Sequence, residues 1–265
     1  MRVKLVLSAV EGREIPLNYY YYLSSAIYKI LEESSPQFSD FLHNQGYKLE
    51  GKKYKLFTFS LIFNRMKIAG NSFFLLDRHV TLYISFPDFN KFLENLVTGA
   101  VKISSIYIDK THFLIEEFAV HPQPEFTDNM KFTLLSPMVI STKIDKNGRT
   151  QQHYFRYYED LDEQNRILTQ NLSNKYALTC NRQPQGDVKI KWDEEYIARL
   201  NAQGKRATAK ATIPKDGVNI EIIGNKLPFT ISGNPELIKT GYECGFGEKN
   251  SMGFGMAEEV VRTFE

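Results

Sequence analysis

Only two cysteines, Cys180 and Cys244, occur in 265 residues, too few for a disulfide framework or a cysteine-rich zinc site. The five histidines (His43, His79, His112, His121 and His153) show no HExxH or other ligand spacing, so no protein-bound metal is expected. No apolar run reaches the roughly 18 residues of a membrane span, and the apolar stretch in Met1–Leu7 is too short for a secretory signal. A cytoplasmic chain without a membrane partner is therefore expected. Neither sign of charge dominates: 33 Lys and Arg stand against 31 Asp and Glu, a net charge of +2, so any polyanion-binding surface must be local. No Gly-Lys-Ser/Thr of a Walker loop is present, and no glycine fingerprint of a dinucleotide site follows an early strand. No cofactor is expected.

What is present is a globular composition, 42% hydrophobic and 24% charged, long enough for two ordinary domains. Val3–Leu7, Lys55–Phe63, His79–Phe86, Lys102–Ile108 and His112–Val120 read as strands. Tyr19–Glu33, with Asn18 as its cap, Gln37–His43 and Asp88–Thr98 read as helices. Pro122-Gln123-Pro124 marks a boundary. Beyond it, strands at Lys131–Ile140, Asp187–Lys191, Val218–Ile223 and Pro228–Ser232 and helices at Leu161–Leu178 and Pro235–Tyr242 repeat the same kinds of element. The expectation is an α+β protein of two halves, 1–121 and 122–265, each of the ferredoxin-like kind, with a glycine-rich loop in the second.

That loop is the sharpest segment. Gly241–Met256 holds five of the chain's sixteen glycines, arranged as Gly245-Phe246-Gly247, a polar insert Glu248–Met252, and Gly253-Phe254-Gly255. Glycines admit positive φ, and exposed backbone N–H groups in such a loop can cradle phosphate oxygens. Lys249 adds charge, Asn250 and Ser251 add hydrogen-bonding groups, and Phe246 and Phe254 would anchor both ends in a core. A phosphate-binding loop and a glycine-rich turn between strands are both open readings.

GFGEKNSMGFG near the C-terminus resembles the glycine-rich loop of the Cas six family of CRISPR-associated endoribonucleases, which cut precursor CRISPR RNA within its repeats. Tyr19–Ile30, Phe41-Leu42-His43, Lys55–Ser60 and Leu134-Leu135-Ser136-Pro137 stand in the family's order, so the resemblance spans essentially the whole chain. It implies two tandem ferredoxin-like (RRM-like) βαββαβ folds and metal-independent cleavage by the substrate's own 2′-OH, leaving a 2′,3′-cyclic phosphate and a 5′-OH. The family's catalytic Tyr, His and Lys carry over onto Tyr28, His43 and Lys55. RNA contacts are expected from Gly245, Gly247, Lys249, Asn250, Ser251, Gly253, Gly255, Lys52 and Lys53. Precursor and product CRISPR RNA are the implied partners, other CRISPR-associated effector subunits are candidates, and monomer and homodimer are both open. A non-cleaving RNA-binding subunit of the same fold is the alternative reading.

Helix geometry offers a separate check. Leu23, Ala26, Ile27, Ile30 and Leu31 form one apolar stripe, and Tyr28 lies roughly 130° from its centre, beside Tyr21 on the outward face. His43 likewise points away from the stripe Phe38, Phe41 and Leu42. It also ends its helix, where carbonyls favour the cation a general acid needs. Tyr28 is expected mainly to position the 2′-OH, since a phenol is only about 0.1% ionised at pH 7, with base action as the alternative if Lys55 lowers its pKa. Lys55 is expected to neutralise the phosphorane from the rim of a strand face it shares with Phe57 and Phe59, with Lys52 and Lys53 as alternatives. Basic stretches at 48–67 and at Lys205, Arg206, Lys210 and Lys215 read as RNA-binding patches or as solvated faces.

Overall fold

The computed structural model describes residues 1–146, 148–215 and 218–260; the side chain of Lys215 and the expected domain end at 265 lie outside that set. The chain divides into two compact units. The first holds Met1–Gln123 together with Ser251–Gly253, and the second begins at Pro124 and holds the rest. The glycine-rich loop expected wholly in the second half is thus shared, because its tip packs with residues far away in sequence.

In the first unit the order is β1 (Arg2–Glu11), α1 (Tyr20–Ser34), α2 (Pro36–Asp40), β2 (Thr58–Phe63), β3 (His79–Ser85), α3 (Phe92–Ile103), β4 (Ser105–Ile108) and β5 (Thr111–His121). These five strands form one antiparallel sheet ordered β2-β3-β1-β5-β4, beside a separate small sheet of Glu14–Pro16, Ser72–Leu75 and Met66–Ala69. With β4 set aside as an added edge strand, this is the βαββαβ path and strand order of a ferredoxin-like fold. Val3, Leu5 and Leu7 alternate inward from β1 and meet the fully buried Leu23, Ile27, Ile30 and Leu31 of α1. The stripe expected from helical spacing is the buried one.

Boundaries differ in ways with local causes. Tyr19, not Asn18, occupies the α1 cap position and makes no side-chain cap bond. The second helix leaves α geometry at Phe41, where a wider turn through Gln45 closes with Gly46 N–H donating to the Phe41 carbonyl at 2.7 Å. Strand β2 starts only at Thr58, because Leu56 has a left-handed φ of 54° that breaks the extended run from Lys55. Helix α3 begins later than expected and absorbs Lys102 and Ile103, its ends marked by left-handed Lys91 and Ser104.

The second unit runs β6 (Asn129–Leu134), α4 (Leu161–Cys180), β7 (Val188–Trp192), α5 (Glu194–Ala202), β8 (Phe229–Gly233), α6 (Pro235–Cys244) and β9 (Ala257–Glu259). Its antiparallel sheet is ordered β7-β8-β6-β9, again the ferredoxin-like arrangement when α4 and α6 are the crossovers. Strand β6 is shorter than expected, since Pro137 cannot continue a ladder. Two hairpins, Ser141–Lys146 with Arg149–Tyr154 and Thr208–Lys215 with Val218–Asn225, are added to this frame. Asp160 caps α4 by accepting from Glu163 N–H at 3.0 Å. Phe132, Phe229, Ile231, Leu168, Leu172, Tyr242 and Phe246 make its core. Among the described residues no helix is long and apolar enough to cross a membrane.

Candidate active site

Three separate segments of the first unit deliver Tyr28, His43 and Lys55 to one place. Tyr28 projects from α1, His43 from the wide turn after α2, and Lys55 from the irregular backbone just before β2. The rings of Tyr28 and His43 meet edge to face, 5.0 Å between centroids. Lys55 Nζ sits 5.1 Å from the centre of the Tyr28 ring and donates to the His43 carbonyl at 2.9 Å. Ser39 Oγ donates to the Tyr28 carbonyl at 3.1 Å, tying the α2 segment to α1.

Tyr28 is not the exposed outward residue that helical spacing suggested. The segment following α2 folds back over that face of α1, so the ring is half-buried and packs edge-on against Phe57 at 5.9 Å. Its hydroxyl oxygen is buried and makes no hydrogen bond of standard geometry. Burial raises the phenol above its ordinary pKa of 10.0, weakly opposed by the neighbouring Ser251 hydroxyl. Lys55 moves the other way: desolvation, and then the charge of Lys53, lower its pKa. Because β2 starts beyond it, Lys55 does not share the inward face of Phe57 and Phe59 as expected.

His43 is exposed, and its tautomer follows from a short relay. Asn44 Nδ2 donates to Asp40 Oδ1 at 2.6 Å, which turns Asn44 Oδ1 toward His43 Nδ1 at 3.0 Å. Nδ1 therefore carries the donating proton and Nε2 is left for a substrate. Two carbonyls at this helix end accept from lysines, that of His43 from Lys55 and that of Asn44 from Lys53 at 3.1 Å. Lys52 and Lys53 are exposed on the hairpin Tyr47–Leu49/Lys52–Tyr54, where Lys53 lies directly across from Lys48. Of the three candidate lysines, only Lys55 reaches the tyrosine ring.

The glycine-rich loop is largely packed inside the fold. Gly245, Gly247, Gly253, Gly255 and Asn250 are buried, while Lys249 is exposed and Ser251 is partly so. The backbone N–H groups of Phe246, Glu248 and Gly255 are spent on the carbonyls of Gly255, Val139 and Pro137. At Gly255, φ is +75° and a Cβ would stand 2.0 Å from the Phe246 carbonyl oxygen. Phe246 and Phe254 anchor the loop as expected, both almost fully buried. The tip belongs to the first unit: Ser24 Oγ donates to the Ser251 carbonyl at 3.0 Å, and Gly253, φ +84°, lies against Phe59 with no room for a Cβ.

Sequence reasoning missed Lys175. From inside the second unit its Nζ donates to the Gly245 and Gly247 carbonyls, both at 2.7 Å, and to Asn250 Oδ1 at 2.8 Å. Burial pushes its pKa down to about 8, against the raising influence of Cys244 and Glu248. The available signal was a lysine in the apolar stripe Leu168, Leu172 and Tyr176 of α4, a position where an unpaired charge is not tolerated.

Two antiparallel βαββαβ units in one chain, with a polar cluster on the first and a pinned glycine loop near the C-terminus, define a tandem ferredoxin-like protein. Within that class the chain belongs to the Cas6 family. The family model for CRISPR associated protein Cas6, C-terminal, matches residues 121–259, and that for the N-terminal part of Cas6 matches residues 14–119. The chain is 31% identical to the CRISPR-associated endoribonuclease Cas6 1 of Methanocaldococcus jannaschii over 98% of its length and 93% of that protein. It is 28% identical to the CRISPR-associated endoribonuclease Cas6 of Pyrococcus furiosus, covering 92% of this chain and 83% of that one. A solved structure described as CRISPR associated protein Cas6 superposes with a TM-score of 0.77 at 29% identity, covering 98% of this chain and 99% of that one.

Proposed function

We propose that this chain is an endoribonuclease that binds precursor CRISPR RNA and cuts it within its repeats, using Tyr28, His43 and Lys55. The observation that carries the reading is the convergence of these three side chains, from three separate segments, around the 5.0 Å contact of Tyr28 with His43. Each has a task suited to its surroundings. The 2′-oxygen attacks the adjacent phosphorus and loses its proton to solvent, while the bond from phosphorus to the 5′-oxygen breaks. His43, acting in its doubly protonated form, gives the Nε2 proton to that departing oxygen and keeps the one on Nδ1, leaving a 5′-OH and a 2′,3′-cyclic phosphate. Lys55 brings a positive charge against the phosphorane, where partial desolvation strengthens the interaction. Tyr28 cannot serve as an ionised base when burial raises its pKa, and its hydroxyl, beside that of Ser251, is assigned to orienting the 2′-OH. The exposed Lys52, Lys53 and Lys249 supply phosphate contacts.

The test is incubation of purified protein with an end-labelled CRISPR repeat RNA in excess EDTA. A single cut with cyclic phosphate and 5′-OH termini is the expected result. Tight binding without a cut would move the chain to the RNA-binding subunit reading, and dependence on added metal would overturn the mechanism.

A further inference from the structure

A groove on the first unit, away from the Tyr28 cluster, holds about 470 Å³, within the range of small-ligand sites. Tyr21, Tyr22, Lys29 and Glu33 line it from α1, and Tyr107 and Asp109 line it from β4 and the turn that follows. Tyr22, Lys29 and Glu33 recur at seven and four residues along one helix face. At 100° per residue that face is turned roughly 120° from Tyr28. Strand β4 is the sheet's edge.

The aromatic wall is prearranged. Tyr107 is 55% exposed yet lies flat on His112, with centroids 4.4 Å apart and ring planes within 4°. One ring face is therefore braced while much of the side chain stays in solvent. Tyr21 and Tyr22, which also line the groove, pack edge to face at 5.9 Å and remain 53% and 38% exposed. The groove's charges are mixed, one ammonium against two carboxylates, which disfavours a run of phosphates but suits a single nucleotide. Stacking on tyrosine binds any base, Lys29 matches one phosphate, and carboxylates accept from the exocyclic amino groups of cytosine and adenine.

We propose that this groove is a second RNA subsite that takes one unpaired nucleotide, stacked on Tyr107, and prefers an amino-bearing base over uracil. The inference rests on the RNA-processing reading and adds to it a binding determinant outside the reacting cluster. A single strand entering here tethers the substrate without touching the scissile phosphate, so the groove governs affinity and base preference rather than the rate of the chemical step.

The experiment measures equilibrium binding and single-turnover cleavage of the repeat RNA by wild type, Tyr107→Ala and Lys29→Ala. It adds binding of A4, C4 and U4 oligoribonucleotides to wild type and to Glu33→Gln/Asp109→Asn. All substituted side chains are at least partly exposed, so the variants should fold, which far-ultraviolet circular dichroism checks. The expected result is a Kd raised about 5- to 100-fold in Tyr107→Ala, with the cleavage rate at saturating protein unchanged. The carboxylate variant should lose the preference for A4 and C4 over U4. An unchanged Kd in Tyr107→Ala with cleavage intact overturns the subsite alone. The same unchanged Kd accompanied by loss of a dimer in sedimentation would give the groove to a second copy of the chain instead. Absence of both binding and cleavage in wild type would overturn the underlying function as well.

Discussion

The hydroxyl of Tyr28 is buried beside Ser251 without a hydrogen bond of standard geometry, so the fold gains little from it and bears the cost of its desolvation. Tyr28→Phe should therefore leave the melting temperature unchanged or slightly raised while lowering single-turnover cleavage about 10- to 100-fold. A variant that lost stability in step with activity would show the hydroxyl to be structural. His43 is exposed and its ring nitrogen Nδ1 is already engaged by Asn44, so removing the ring takes away a proton donor and little packing. His43→Ala should reduce cleavage about 10²- to 10⁴-fold with RNA affinity nearly intact; an unchanged rate would remove it from the acid role. Lys55 gives a pH signature with a definite sign. It supports the phosphorane only as the ammonium, and desolvation lowers its pKa from the ordinary 10.5. Cleavage should accordingly begin to fall, as pH rises, below the point where an ordinary lysine deprotonates. In the His43→Ala background, where no general acid contributes, Lys55→Arg, whose guanidinium keeps its proton, should remove that alkaline fall from the residual pH–rate profile.

At the scale of elements, the loop between α6 and β9 is held from within by one lysine and by glycines that no other residue can replace. Lys175→Met would strand three oxygen acceptors, Gly245 O, Gly247 O and Asn250 Oδ1, in a buried site. A loss of about 3 kcal/mol or more in urea unfolding is expected, and a loss below about 1 kcal/mol would mean water replaces the ammonium there. The α1 stripe and the glycine loop's anchors were legible because each obeys a local period or composition, whereas the two βαββαβ folds were implied by the family resemblance and the closing strand Ala257–Glu259 was not expected. Tyr28, His43 and Lys55 were legible as residue types in a family order, but their surroundings were not. The covering of Tyr28 depends on how a segment without a repeating period folds back, and Leu56's left-handed backbone decides where β2 begins. Lys175 was hidden for a related reason: its partners lie 70 or more residues away, and two of its three acceptors are backbone carbonyls, which no side-chain type announces.

For the whole molecule, a net charge of +2 cannot draw a polyanion by itself, so RNA affinity must come from placed cations. The hairpin beside His43 concentrates them: Lys48 faces Lys53 across the strands, a like-charge pairing that costs stability unless an anion or carbonyl relieves it. The Asn44 carbonyl relieves Lys53 in part, and a phosphate backbone would relieve the rest. Each single-stranded phosphate neutralised should contribute a slope of about −0.7 to log K against log salt concentration. The double variant Lys52→Ala/Lys53→Ala should therefore flatten that slope by about 1.4 for repeat RNA, with the largest loss of affinity at low salt. A uniform loss of affinity at every salt concentration, with the slope retained, would instead mean that these lysines hold the His43 turn in shape and touch no phosphate. In that case the cations that meet the RNA must be sought elsewhere, beginning with the exposed Lys249 of the glycine-rich loop.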